Sequence, residues 1–174
     1  MQIETVVTGA LDENCYVLKK NNTCLIIDPG SDYLKIKEKI GDAKVLGVLI
    51  THAHFDHVGA LRNFLTKRSI KIFKKSNVLE QEYKIGDFTF EVIYAPGHAN
   101  DQIIFYFKED NIMFDGDFIF KESIGRCDLP GGDLEQMQES IAKIKKYPAE
   151  TKLYPGHGEQ TTLQDELQNN QYLK

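Results

Sequence analysis

Each of the five histidines in this 174-residue chain stands at the end of a short apolar run or in the loop just after it. His52, His54 and His57 follow VLGVLI, Val45–Ile50, within THAHFDH. His98 follows FTFEVIY, Phe88–Tyr94, and closes APGH, while His157 follows TKLY, Thr151–Tyr154, in PGHG. Asp117 stands in the same way after NIMF, Asn111–Phe114, in DGD. Strand ends converging on one face are what this spacing demands, because a rigid scaffold presents polar groups on the loops at its rim. A histidine met singly is usually structural; five placed alike are not explained that way.

The rest of the pattern supports such a scaffold. Cys15–Lys19 and Thr23–Asp28 read as strands around an Asn21-Asn22 hairpin turn. Pro29-Gly30 stops the second, and Asp32 is placed to cap a helix over Tyr33–Ile40. Val45–Ile50 is continuously apolar, which suits a strand buried on both faces. From His57 to Lys67, Val58, Leu61 and Leu65 recur at helical spacing. In the second half, Phe88–Tyr94 is a strand, and Gln102–Phe107 with Asn111–Phe114 form a hairpin across Lys108–Asp110. Asp133 can cap a helix with Leu134, Met137, Ile141 and Ile144 on one face; Thr151–Tyr154 is a last strand and Leu163–Asn170 a short helix. Mixed sheets with helices outside follow.

Composition narrows the function classes. With 41% hydrophobic and 27% charged residues the chain is expected to fold as one domain, residues 1–174. A net charge of −5 gives no basic field for nucleic acid. The N-terminus lacks a basic start and an uninterrupted apolar core, and no apolar run approaches the ~20 residues of a membrane helix. Cys15, Cys24 and Cys127 form no CxxC and leave one unpaired, which fits reduced thiols in a cytoplasmic protein.

Imidazole with carboxylate is a ligand set for zinc, iron or manganese. In extended backbone, residues two apart point the same way, so His52 and His54 can grip one ion while His57 points elsewhere. Five histidines with Asp56 and Asp117 exceed what one tetrahedral ion needs; two ions sharing a carboxylate account for the number.

The ordered series THAHFDH, APGH, FDGD and YPGHG resembles the metallo-β-lactamase superfamily, in its compact glyoxalase-II-like (hydroxyacylglutathione hydrolase-like) branch. The likeness runs from about Asn14 to the last helix. It implies a four-layer αββα sandwich with two mixed sheets and a site at one edge between them. Carried over by motif, His52, His54 and His98 hold one metal and Asp56, His57 and His157 the second, with Asp117 bridging; strand parity alone would have put Asp56 with the first pair. LIIDPG, Leu25–Gly30, resembles a segment beneath such sites, with Asp28 supporting the ligands through a turn or hydrogen bond. ESIGRCDLPGGD, Glu122–Asp133, resembles a GRTD-type loop with Cys127 in place of Thr; Arg126 there is a candidate for binding substrate, a structural salt bridge being the alternative. HAND, His98–Asp101, departs from the HTxGS that often follows this histidine.

The expected activity is metal-dependent hydrolysis by a hydroxide bridging two divalent ions, zinc first, with iron or manganese as alternatives. The expected substrate is a small-molecule thioester such as S-lactoylglutathione or another hydroxyacyl thiol, since a thiolate leaves with little protonation. Asp56 is the candidate for positioning the water. The C-terminal helical domain that holds glutathione in glyoxalase II is not expected within residues 1–174. The rivals are a mononuclear-iron persulfide dioxygenase and a hydrolase of other small esters or lactones. β-Lactam cleavage, RNA processing and a non-catalytic metal scaffold are weaker. Neither nucleic acid nor membrane is an expected partner.

Overall fold

The computed structural model describes residues 1–65 and 69–174. The first sheet begins with β1 (Gln2–Thr8) and β2 (Glu13–Lys20), paired antiparallel. Asn21 and Asn22 both take positive φ, 45° and 58°, and turn the chain into β3 (Thr23–Ile27), as the hairpin expectation requires. Helix α1 (Tyr33–Ile40) crosses over to β4 (Lys44–Leu49), parallel to β3. Two helical turns, α2 (Phe55–Val58) and α3 (Leu61–Phe64), then lead to β5 (Lys71–Phe73), parallel to β4. The second sheet contains β6 (Glu82–Ile85), β7 (Phe88–Tyr94), β8 (Ile103–Phe107) and β9 (Ile112–Gly116), successively antiparallel. A small hairpin, β10 (Ile119–Phe120) and β11 (Ser123–Ile124), precedes α4 (Leu134–Ile144), β12 (Lys152–Pro155), β13 (Thr161–Thr162) and α5 (Leu163–Asn169). The sheet orders are β1-β2-β3-β4-β5 and β13-β12-β9-β8-β7-β6.

Strand alternation divides the apolar residues into three layers of contact. Leu18, Leu25, Ile27 and Leu49 meet Phe88, Phe90, Phe105 and Phe114 between the sheets. Their neighbours Val17, Cys24, Ile26 and Val48 face outward, beneath Ile36 and Ile40 of α1 and Phe64 of α3. On the far side Ile93, Ile104, Met113 and Leu153 lie under Met137, Ile141 and Ile144 of α4, with Leu163 of α5. Helix, sheet, sheet and helix thus stack in four layers, the αββα sandwich that the resemblance implies.

Several expectations need correction. The helix read from His57 to Lys67 breaks between α2 and α3, and its end at Lys67 lies outside the described residues. The break follows from Ala60, whose N–H donates to Pro29 O (2.9 Å) and Gly30 O (2.7 Å) instead of up its own helix. Asp32 adopts a left-handed φ of 47° and makes no side-chain cap; its carboxylate accepts from Gly9 N and Lys35 Nζ. Asp133 does cap α4, accepting from Glu135 N and Gln136 N. Leu134, placed on the buried face of that helix, is exposed, and Ser140 is buried there. Strands β1, β5 and β6 had not been read from the sequence; β5 and β6 span only three and four residues, and the burial of β1 alternates only toward its end.

Candidate metal centre and its cleft

The loops at one end of the two sheets carry every one of the residues named as ligands. Beyond β4, Thr51 donates through N to Asp28 Oδ1 (2.7 Å) and through Oγ1 to Asp28 Oδ2 (2.5 Å). This ties the end of β4 to the end of β3 and sets His52 at the rim. His54 Nδ1 lies 3.0 Å from His52 Nε2 and 2.9 Å from His98 Nε2. These three form one group whose ligand atoms all lie within 4.8 Å of one another. Asp56, His57 and His157 form a second such group, with Asp56 Oδ2 3.2 Å from His157 Nε2. Asp56 therefore stands with His57 and His157, not with the pair that strand parity suggested. Parity also fails for His57, because Phe55–Val58 is helical; its ring centroid lies 4.1 Å from that of His52.

Asp117 joins the two groups. Its Oδ1 is 3.3 Å from His57 Nε2, while its Oδ2 is 3.5 Å from His98 Nε2 and 3.6 Å from His157 Nε2. Two buried atoms here, His57 Nε2 and Asp117 Oδ1, have no hydrogen-bond partner among the described residues. Buried polar atoms seldom remain unmatched. Cations would match both, and the donor set of imidazole and carboxylate is of the right kind.

The partners behind the ligands aim the nitrogens. His57 Nδ1 donates to Asp28 Oδ2 (3.0 Å), His98 Nδ1 to Arg126 O (2.8 Å) and His157 Nδ1 to Leu11 O (2.9 Å). In each case the oxygen fixes the tautomer and leaves Nε2 as the free lone pair. Asp28, read from the sequence as a support beneath the site, does this for His57 directly. Asp28→Asn is expected to lower affinity for the ion nearest His57 by roughly 10–100-fold, the usual loss for such a partner. Competition titration against a coloured chelator measures this, and unchanged affinity would count against the orienting role.

Before any ion binds, the charges are strongly coupled. Burial disfavours a charged His57, yet the carboxylates of Asp117 and Asp28 outweigh it and lift the ring to about 11. Burial likewise opposes the Asp117 carboxylate, but His57 holds it down at about 2. Burial and the neighbouring His57 push His52 well below its ordinary value, and burial with His98 lowers His54. A cation binding His57 must displace its proton.

Glu13 was not singled out from the sequence. It is fully buried behind the site, with Oε2 accepting from Thr8 Oγ1 (2.8 Å) and Oε1 3.8 Å from His57 Nδ1. Burial, reinforced by Asp28, pushes it up to about 9. Asn14 beside it donates through Nδ2 to Pro155 O and Gly158 O, clamping the loop that carries His157. The one available signal was the placement of ENCY at the start of a strand. A cleft of about 620 Å³ opens over the cluster, lined by His54, Asp56, His98, Asp117 and His157 below and by Leu11, Phe55, Arg126, Leu129 and Pro130 around the rim. Arg126 reaches this cleft, but its Nε and Nη2 each donate to Asp128 at 2.7 Å. Cys127 Sγ faces Gly125 O and belongs to neither ligand group. All three cysteines are free, and no helix among the described residues is long and apolar enough to cross a membrane.

Comparison with known proteins agrees with this fold. The family model described as "Metallo-beta-lactamase superfamily" matches residues 8–80 and 76–157. The chain is 30% identical to the "Probable metallo-hydrolase YqgX" of Bacillus subtilis, covering 99% of this chain and 98% of that protein. It is 28% identical to the "Hydroxyacylglutathione hydrolase GloC" of Haemophilus influenzae, again over 99% and 98%. Among solved structures, the BLEG-1 B3 metallo-beta-lactamase superposes with a TM-score of 0.89 at 30% identity over 99% of both chains. TTHA1623, solved in a di-iron-bound form, superposes with a TM-score of 0.86 at 30% identity over 98% of this chain and 100% of that one.

Proposed function

Because this chain belongs to the metallo-beta-lactamase superfamily, we propose that it is a metal-dependent hydrolase that cleaves a thioester, such as S-lactoylglutathione or a related hydroxyacyl thiol. His52, His54, His98 and Asp117 hold one divalent ion; Asp56, His57, His157 and Asp117 hold a second. The observation that carries this reading is Asp117, one carboxylate within 3.6 Å of His57, His98 and His157 at the floor of an open cleft. The di-iron form of TTHA1623 supports a pair of ions in such a site and keeps iron beside zinc as a candidate. When bound, divalent ions supply water activation near neutral pH and polarisation of a carbonyl.

The chain's own residues supply position. Asp28, Arg126 O and Leu11 O hold three imidazoles in register. Asp56, partly exposed at the cleft and 3.2 Å from His157, orients the attacking water from that side. A thiolate leaves with little protonation, so thioester cleavage asks for no further acid. The full-length likeness to GloC at 28% identity supports a thioester, and the 30% identity to BLEG-1 favours β-lactam cleavage as a second reading.

Chelation is expected to abolish thioester hydrolysis, and zinc, manganese or iron to restore it. The decisive panel sets S-lactoylglutathione and simple thioesters beside a chromogenic β-lactam, with oxygen uptake on glutathione persulfide followed in parallel. Metal-loaded protein that opens the β-lactam but no thioester supports the second reading. Oxygen uptake in place of hydrolysis would identify a persulfide dioxygenase.

A further inference from the structure

Four apolar side chains wall the cleft above the ligand cluster: Leu11, Phe55, Leu129 and Pro130. Phe55 is 76% exposed and Leu11 53%, although large apolar side chains gain by leaving water. Their backbones are fixed by the site itself. Leu11 O accepts from His157, and Phe55 stands between His54 and Asp56. Leu129 O accepts from Gly132 N (2.8 Å), and the next residue's N–H binds Gly97 O (2.7 Å), beside His98. The walls are therefore held at a set place relative to the ligands. Among the described residues lining this cleft, Arg126 is the one lysine or arginine, and Asp128 already takes two of its N–H groups. A glutathione thioester brings two carboxylates, and the described residues of this rim offer them no cation other than Arg126, which is already paired with Asp128.

From this we propose that the acyl group taken by the site is apolar: an unsubstituted alkanoyl thioester, its chain lying against Phe55, Leu11 and Leu129. The proposal rests on the thioesterase reading and, within it, puts an alkanoyl group in place of the hydroxyacyl one. The acyl side suits these walls better than the thiol side. A departing thiolate set against leucine and proline would lose hydration at a cost, whereas an alkyl chain gains there. In the reaction, water oxygen bonds to the acyl carbon and the C–S bond breaks with its electron pair on sulfur. The displaced water proton passes to the thiolate, leaving a carboxylic acid and a thiol.

Two measurements on metal-loaded protein test this. For acetyl, butyryl and hexanoyl thioesters of N-acetylcysteamine, kcat/KM is expected to rise roughly two- to fourfold per added methylene, approaching the yield of burying each one. The hexanoyl ester is expected to surpass S-lactoylglutathione, and Phe55→Ala or Leu129→Ala to flatten the rise. Affinity for acetyl, butyryl and hexanoyl hydroxamates, measured by calorimetry, is expected to climb in parallel without any turnover. A flat response of both kcat/KM and hydroxamate affinity to chain length overturns the proposal. Hydroxamate affinity that climbs while every thioester stays intact sinks the thioesterase reading but sustains the apolar subsite.

Discussion

Asp117→Ala is expected to reduce bound metal from about two ions per chain to one or fewer and to lower thioester hydrolysis by more than ~100-fold. The lower bound comes from comparison: losing a partner behind a ligand typically costs 10–100-fold, and Asp117 stands among the ligands themselves. Its two oxygens face His57 on one side and His98 with His157 on the other, all within 3.6 Å. Among the described residues no other carboxylate stands between the two groups: Asp56 lies by His57 and His157, and Asp28 and Glu13 lie behind His57. Removal also leaves buried His57 with one fewer counter-charge, so loss of metal and loss of activity should fall together. Elemental analysis of the purified variant beside the parent protein, followed by the thioester assay, measures both. Parent protein holding one ion, with the variant fully active, would falsify the two-ion arrangement.

The histidines and Asp117 were legible in the sequence because each sits at or just beyond the end of an apolar strand, and strand ends gather at a sheet edge; their division between two ions, and Asp56's place in it, came from the family resemblance. The strands that lead into these residues, β4, β7, β9 and β12, were legible for the same reason. What lay hidden depends on contact between distant segments. The break after Val58 arises because Ala60 N–H turns to Pro29 and Gly30, about thirty residues earlier in the chain. Helical periodicity carries no sign of such a partner. Glu13 reads as an ordinary polar residue before a strand until the fold buries it against Thr8 and His57. Arg126 was visible as a candidate, but its pairing with Asp128 depends on the shape of the loop. The walls of the cleft come from three separate segments, the β1–β2 turn, the start of α2 and the loop before α4, whose apolar residues have no shared period to announce them.

Gly30→Ala is expected to destabilise the protein by about 3 kcal/mol, the upper part of the usual range for overpacking. For a chain of this size that lowers Tm by roughly 6–12 °C. A Cβ on Gly30 would stand 2.0 Å from Asp56 O, 2.3 Å from Glu13 Oε2 and 2.7 Å from Thr8 Oγ1. The first of these is backbone and cannot rotate away. Relief requires separating Pro29-Gly30 from the turn bearing Asp56 and His57, which also strains the two hydrogen bonds from Ala60 N to Pro29 O and Gly30 O. Stability and affinity for the ion at Asp56, His57 and His157 should therefore decline together. Gly41→Ala supplies the contrast: Gly41 has φ +59° but nothing within 4 Å of its added Cβ. Its cost is the left-handed backbone alone, about 1–2 kcal/mol, with metal affinity unchanged. If the two variants melt alike and bind metal alike, close packing of the Pro29-Gly30 turn against the ligand-bearing turn does not hold the second group in place. If Gly30→Ala alone loses the ion, a glycine that touches no metal is what lets Asp56 and His57 reach theirs.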